Sequence, residues 1–198
     1  MANWYIWAMS TTTIHLVRHG DSTGHTGDAG LTDQGRRQAE AVGHRLAGLG
    51  VDELLHGSHR RTAETAEIVA ATAGITTVHH SPYAEDRTPI PDDWSTVPAH
   101  HHHWLQDIPD DERDLGAANL EAAIHELAYV VGHDRSIAVV THNFVVGWFV
   151  RHALDAPWWR WIGLNADHGA LTTIQWMDDQ APTLITFNDR GHLVDHQG

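Results

Sequence analysis

The chain has 198 residues, 41% of them hydrophobic, and a formal net charge of −14 with histidine neutral. That length and content suit one domain with a sizeable core. The acidic balance argues against nucleic acid or an anionic membrane surface as main partner, since both favour basic patches; an anionic small molecule needs only a local positive pocket. With no cysteine, a disulfide framework, a thiolate metal site and a cysteine nucleophile are excluded.

Residues 1–12 read as an N-terminal extension ahead of a single domain over 13–198. Trp4, Tyr5, Ile6 and Trp7 are apolar, but no Lys or Arg precedes Arg18, so a secretory leader is not expected. Met9 is an alternative start. No apolar stretch approaches the roughly twenty residues of a membrane span, and a cytoplasmic location is expected.

The run Ile14-His15-Leu16-Val17 predicts a buried strand that ends abruptly in Arg18, His19 and Gly20. Residues 21–30, rich in Gly, Asp, Ser and Thr, form a loop. Thr32 is a plausible N-cap for a helix to about Leu49, with Ala39, Val42, Leu46 and Leu49 at helical spacing. A strand over Val51–His56, an Ala-rich helix over Arg60–Ala73 closed by Gly74, and a strand over Ile75–His79 follow. Residues 81–115 hold five of the seven prolines and read as a long irregular insertion, a cap or lid. Then come a helix over Leu115–Val131, a buried strand over Ser136–Val140, and an apolar helix over Phe144–Leu154. Late strands at Ala170–Trp176 and Thr183–Phe187 make a hairpin around Asp178-Asp179. Strands alternating with helices predict an α/β fold, a three-layer sandwich with a mostly parallel central sheet and the Pro-rich inserted cap loop.

Polar groups at the carboxyl ends of such strands are where open α/β sheets bind ligands. Arginine grips phosphate oxygens in bidentate fashion, neutral histidine can attack phosphorus, and Gly20 permits a tight turn or close approach. The ordered set of Arg18-His19-Gly20, Leu31-Thr32-Asp33-Gln34-Gly35, Arg61-Thr62-Ala63-Glu64-Thr65-Ala66 and the strand-end His142 resembles the histidine phosphatase superfamily (phosphoglycerate mutase-like). The resemblance spans most of residues 13–176.

The resemblance implies that His19 is transiently phosphorylated, with Arg18, Arg61 and His142 holding the phosphoryl oxygens. Arg61 is preferred to Arg60 because it lies four residues before Thr65. A Glu after the third strand serves as general acid in much of the family; an ungapped count from Gly74 gives Glu85, with Asp86 adjacent. Where the family often has Ser, this chain has Gly57, with Ser58 beside it. Where it usually has Gly after the second histidine, Asn143 can donate a hydrogen bond to substrate. His25 stands where mutase-like members carry Asn, which argues against a sugar-phosphate mutase of the usual kind. The expected activity is a metal-independent phosphomonoesterase with a phosphohistidine intermediate and no cofactor. Its expected partner is a small phosphorylated substrate, with a homodimer as the assembly to test. Alternatives are a phosphoryl mutase and a non-catalytic phospho-ligand binder. A third is a metal-binding protein resting on the run His100–His103, which reads first as a solvated loop. Trp158-Trp159-Arg160-Trp161 reads as aromatic packing or an interface.

Overall fold

The computed structural model describes residues 10–25, 28–130 and 132–196. Thr11–Arg18 form β1, whose inner residues are buried on both faces, as in a central strand. β1 pairs parallel with β6 (Arg135–Thr141) and antiparallel with β7 (Leu171–Met177). β2 (Glu53–His56) lies parallel between β6 and β3 (Val78–His80). β8 (Thr183–Asp189) closes the other edge, antiparallel to β7, giving the order β3-β2-β6-β1-β7-β8. The expected late hairpin is therefore present.

Helices cover both faces. Val17, Leu54, Ala138 and Val140 pack against Val42 and Leu46 of α1 (Asp33–Leu46) and Val69 of α2 (Arg60–Ala73). Ile14, Leu16, Ile137 and Val139 face Leu120 and Ile124 of α4 (Ala118–Leu127) and Trp148 and Phe149 of α5 (Asn143–Ala153). Successive strand residues serve opposite layers, as the pleat dictates. Among the described residues no helix is long and apolar enough to cross a membrane.

Several expected boundaries shift, each for a local reason. β1 begins at Thr11, inside the expected extension, where the Thr11 N–H and Oγ1 both donate to Asp134 Oδ1 at 3.0 Å; residues 1–9 lie outside the described residues. α1 stops at Leu46 because the chain turns over Gly48 (φ 84°), leaving Leu49 42% exposed. β3 starts at Val78 because the left-handed cap at Gly74 directs Ile75 N–H back to Ala70 O. α4 starts at Ala118, not Leu115, because the Asp114 carboxylate accepts from the N–H groups of Asn119 and Leu120. Val131 lies outside the described residues.

Residues 81–115 are not irregular. β4 (Thr88–Ile90) and β5 (Arg113–Leu115) form a separate parallel pair, with short 3₁₀ turns and α3 (His102–Gln106) between them. Ala84, Ile90, Val97 and Leu105 are buried in the same core as α4 and α5, so the segment is anchored to the body. His100 and His101 rings lie 4.0 Å apart, His102 Nε2 donates to Val97 O, and His103 faces Asp107 in solvent. Those four side chains do not meet at one point. Trp161 is buried against Phe144 and Trp104, and Trp158 packs on Trp148, so the tryptophan cluster is core packing.

Candidate active site

The parallel register sets Arg18 opposite Thr141, so the next residues, His19 and His142, emerge side by side at the carboxyl ends of β1 and β6. Their ring centroids are 5.1 Å apart. His19 N–H donates to Thr141 O at 3.0 Å, which extends the ladder one step into the site.

The turn after His19 is clamped by backbone contact. A Cβ on Gly20 would lie 2.4 Å from Gly35 O, and one on Gly35 would lie 2.0 Å from Asp21 O. Neither position tolerates a side chain, which gives the glycine of Leu-Thr-x-x-Gly its physical meaning. Thr32 caps α1 by accepting from Gly35 N–H and donates its hydroxyl to Asp21 Oδ2 at 2.7 Å. Thr65 of α2 accepts from Gly20 N–H at 3.1 Å and donates to Arg61 O. The three motifs are thus one hydrogen-bonded unit.

His19 Nδ1 lies 2.8 Å from Gly20 O. A carbonyl can only accept, so Nδ1 carries the proton and Nε2 keeps its lone pair. Burial, then the neighbouring His142 and Arg61, lower the His19 pKa to about 2, so the ring is neutral near pH 7.

Around it stand the anion-binding groups. Arg18 Nη1 donates to Ala166 O at 2.6 Å and Nη2 to His168 Nε2 at 2.8 Å. Arg61, only 3% exposed, donates from Nη2 to Asp86 Oδ2 at 3.0 Å and from Nη1 to His25 O at 3.3 Å. His142 Nδ1 lies 3.1 Å from the same Asp86 oxygen, while its Nε2 is buried with no hydrogen-bond partner among the described residues. His142 also precedes α5, whose first N–H groups favour an anion. These groups line a cavity of about 550 Å³.

The two adjacent carboxylates part company. Glu85 does not line the cavity; it accepts from Ser58 N–H (3.0 Å), Ser58 Oγ (2.6 Å) and His80 Nε2 (2.8 Å). Asp86 does line it. Burial pushes its carboxyl up, but the hydrogen bond and charge of His142 and the charge of Arg61 prevail, and it titrates at about 2. Asn143 also lines the cavity, yet its amide ties down the next wall: Oδ1 accepts from Ala166 N–H and Nδ2 donates to Asn165 Oδ1. Arg60 is exposed and paired with Glu64.

Five cavity residues escape sequence reasoning: Asp21, Ser22, Phe144, Glu112 and His168. Glu112 lines the cavity, and burial, then Asp86 and Asp111, raise its carboxyl pKa. It sits in the acidic stretch Asp110-Asp111-Glu112, which reads as solvated loop. His168 also lines the cavity, its ring 5.2 Å from His19, and no spacing marks it.

A neutral imidazole with a free ring nitrogen, set beside two guanidinium groups and a second imidazole, has the chemical means for phosphoryl transfer. The chain matches the histidine phosphatase superfamily (branch 1) over residues 14–190 and belongs to that family. Among curated relatives, the serine/threonine-protein phosphatase Pgam5, mitochondrial, of Drosophila mojavensis is 32% identical over 170 residues. That match takes in 80% of this chain but 56% of the relative, so the chain spans little more than half the relative's length. Among solved structures, Bacillus stearothermophilus YhfR superposes with a TM-score of 0.71 at 20% identity, covering 92% of this chain and 99% of that one. The phosphoserine phosphatase of Entamoeba histolytica, in complex with phosphoserine, superposes at 0.65 and 20% identity, covering 92% and 100%. These likenesses establish the shared fold.

Proposed function

We propose that the chain is a phosphomonoesterase that passes a phosphoryl group through His19 to water. The observation that carries this is the neutral His19 ring, its Nε2 lone pair free, set among Arg18, Arg61 and His142 in one cavity. In this reading the three cationic or donor groups bind the phosphoryl oxygens. His19 Nε2 attacks phosphorus as the ester P–O bond breaks, and the departing alkoxide takes a proton. Water then attacks phosphorus as the P–N bond breaks and its electron pair returns to His19 Nε2, and the water loses a proton to the group that donated the first one.

Glu112 is the proton carrier we assign. A pair of carboxylates whose pKa values are driven apart identifies acid and base roles. Here Asp86 is driven down and Glu112 up in one cavity. Asp86 then serves to orient Arg61 and His142, and Glu85 has no direct part. Cavities of roughly 300–1,000 Å³ hold small ligands, which supports a small phosphorylated substrate. Every assigned group is a side chain, so a chelator should leave turnover unchanged. A cytoplasmic setting is part of the same reading, and the lack of cysteine permits it.

The test is rapid quench with a labelled aryl phosphate. Wild type should trap an acid-labile phosphoenzyme, and His19→Ala should lose both the label and turnover while its unfolding midpoint holds. Turnover in His19→Ala within about tenfold of wild type would remove the nucleophile and with it this mechanism.

A further inference from the structure

His59 precedes α2 as its N-cap residue but makes no side-chain cap bond, so the helix does not use its imidazole. Its Nδ1 is buried and has no hydrogen-bond partner among the described residues. That nitrogen lies 4.0 Å from Asp86 Oδ2, the oxygen that His142 Nδ1 approaches to 3.1 Å. The two imidazoles meet edge to face with centroids 5.1 Å apart. One ligand atom from each of the three residues fits within 4.8 Å of the others. Each comes from a different segment: the start of α2, the start of α5, and the turn before β4.

A tetrahedral zinc ion with bonds near 2.0–2.1 Å holds its donors roughly 3.3 Å apart. The His142–Asp86 pair already has that spacing; His59 Nδ1, 4.0 Å from the Asp86 oxygen and within 4.8 Å of the His142 ligand atom, must close on both. Two imidazoles and one carboxylate are a ligand set that zinc accepts, with a fourth position left open. Among the described residues this is the single group of histidine and carboxylate donors that converges in this way; the His100–His103 run does not.

We infer that His59, Asp86 and His142 form a site for a borderline divalent transition ion, of which Zn²⁺ is the natural probe, and that filling it switches the phosphoryl pocket off. On binding, the His142 Nδ1 proton moves by way of solvent to Nε2, so that a neutral ring offers its Nδ1 lone pair to the ion, and Asp86 turns its charge to the ion. Arg61 and His142 then lose the carboxylate that orients them. Arg61, 3.0 Å from the same oxygen, opposes the cation, so affinity falls below that of a closed four-ligand site. His59 lines no part of the cavity, so replacing it should spare zinc-free turnover. The inhibition rests on the proposed phosphatase reading; the binding does not.

The experiment titrates Zn²⁺ into the full chain, stripped beforehand with chelator, by calorimetry, and follows aryl phosphate turnover over the same range. Wild type should show one site and a matching, chelator-reversible loss of turnover. His59→Ala should keep zinc-free turnover, lose the heat of that site and need at least ~10-fold more Zn²⁺ for half-inhibition. His59→Gln, which keeps side-chain bulk at the start of α2, should behave alike. A variant with His100–His103 replaced by Ala should keep both site and inhibition. Unchanged zinc affinity in both His59 variants, or its loss in the His100–His103 variant, would overturn the site. Saturation of the site with no effect on turnover would overturn the inhibition. A wild type that turns over no phosphate ester would sink the phosphatase reading, and the calorimetry would still decide the binding.

Discussion

The floor of the cavity comes from the ends of β1 and β6, whereas its carboxylate wall comes from the segment joining β3 to β5. The floor is pinned by backbone. His19 continues the β1–β6 ladder, Gly20 and Gly35 leave no room for a side chain, and Arg61 and His142 are 3% exposed. The wall is held at a distance, through Ile90 and Leu105 in the core, while Glu112 at its rim stays half-exposed. Charge that must not move is built on the sheet. In the proposed mechanism the group that gains and loses a proton, Glu112, sits where burial is partial, because full burial or a fixed partner would lock one protonation state.

If that division holds, substitutions that crowd the floor's backbone, at Gly20 or Gly35, cost stability, and wall substitutions cost chemistry alone. The largest effect should be Gly35→Ala. Its methyl would meet Asp21 O at 2.0 Å, so either α1 or the nucleophile turn must shift. A loss of ~3 kcal/mol in denaturant unfolding, with a parallel fall in kcat/KM, is expected; wild-type stability would show the clamp to be soft.

Behind the floor, His15 is buried against Thr173 Oγ1, and burial, then Arg45, lower its pKa to about 4. Above about pH 6.5 both folded and unfolded forms are neutral and nothing is lost. Between 6.5 and 4 only the unfolded chain takes the proton, so stability falls as pH falls, by up to ~3 kcal/mol from this group. Urea unfolding at pH 7 and pH 4.5 should show His15→Gln losing less between the two than wild type. Equal losses would remove His15 as a source of the acid sensitivity.

On the wall, Glu112→Gln should slow alkyl phosphate hydrolysis on the order of 10²-fold more than aryl phosphate hydrolysis, since a poor leaving group needs the proton most. In wild type, alkyl turnover should decline on the alkaline side as Glu112 ionises, and this limb should vanish in the variant. The smallest effect should be Glu85→Gln, which should leave the alkyl-to-aryl ratio of kcat/KM within roughly twofold of wild type. The reverse pattern, selective loss in Glu85→Gln with Glu112→Gln unaffected, would return the acid role to Glu85.

The same division decides what could be read from the sequence. Arg18, His19 and Gly20 are legible as the end of a buried strand, but it is the ordered set of four motifs, not the tripeptide, that marks them as a site. Arg61 was legible because Thr65, four residues on, shares its helix. The α/β layering followed from apolar periodicity. The choice between Glu85 and Asp86 was beyond a residue count. Glu85 has extended backbone (φ −65°, ψ 157°), where neighbours point to opposite sides, so the question is one of parity. Parity is set by Ser58, which captures Glu85, and Arg61, which takes Asp86. Glu112 and His168 were invisible because folding alone brings them to His19, across long stretches of chain. The insertion was misread as irregular because proline marks turns but says nothing of the buried Ile90 and Leu105 between them.

The hydrogen bond from His19 Nδ1 to Gly20 O has a covalent corollary. An imidazole can carry a phosphoryl group on either nitrogen, and the two products are distinct regioisomers with different spectra and hydrolytic lifetimes. If His19 is phosphorylated as proposed, the commitment of Nδ1 to a carbonyl selects the Nε2 isomer. Because the acceptor belongs to the main chain, no side-chain replacement at position 20 deletes it. The choice of isomer is thereby written into the path of the backbone.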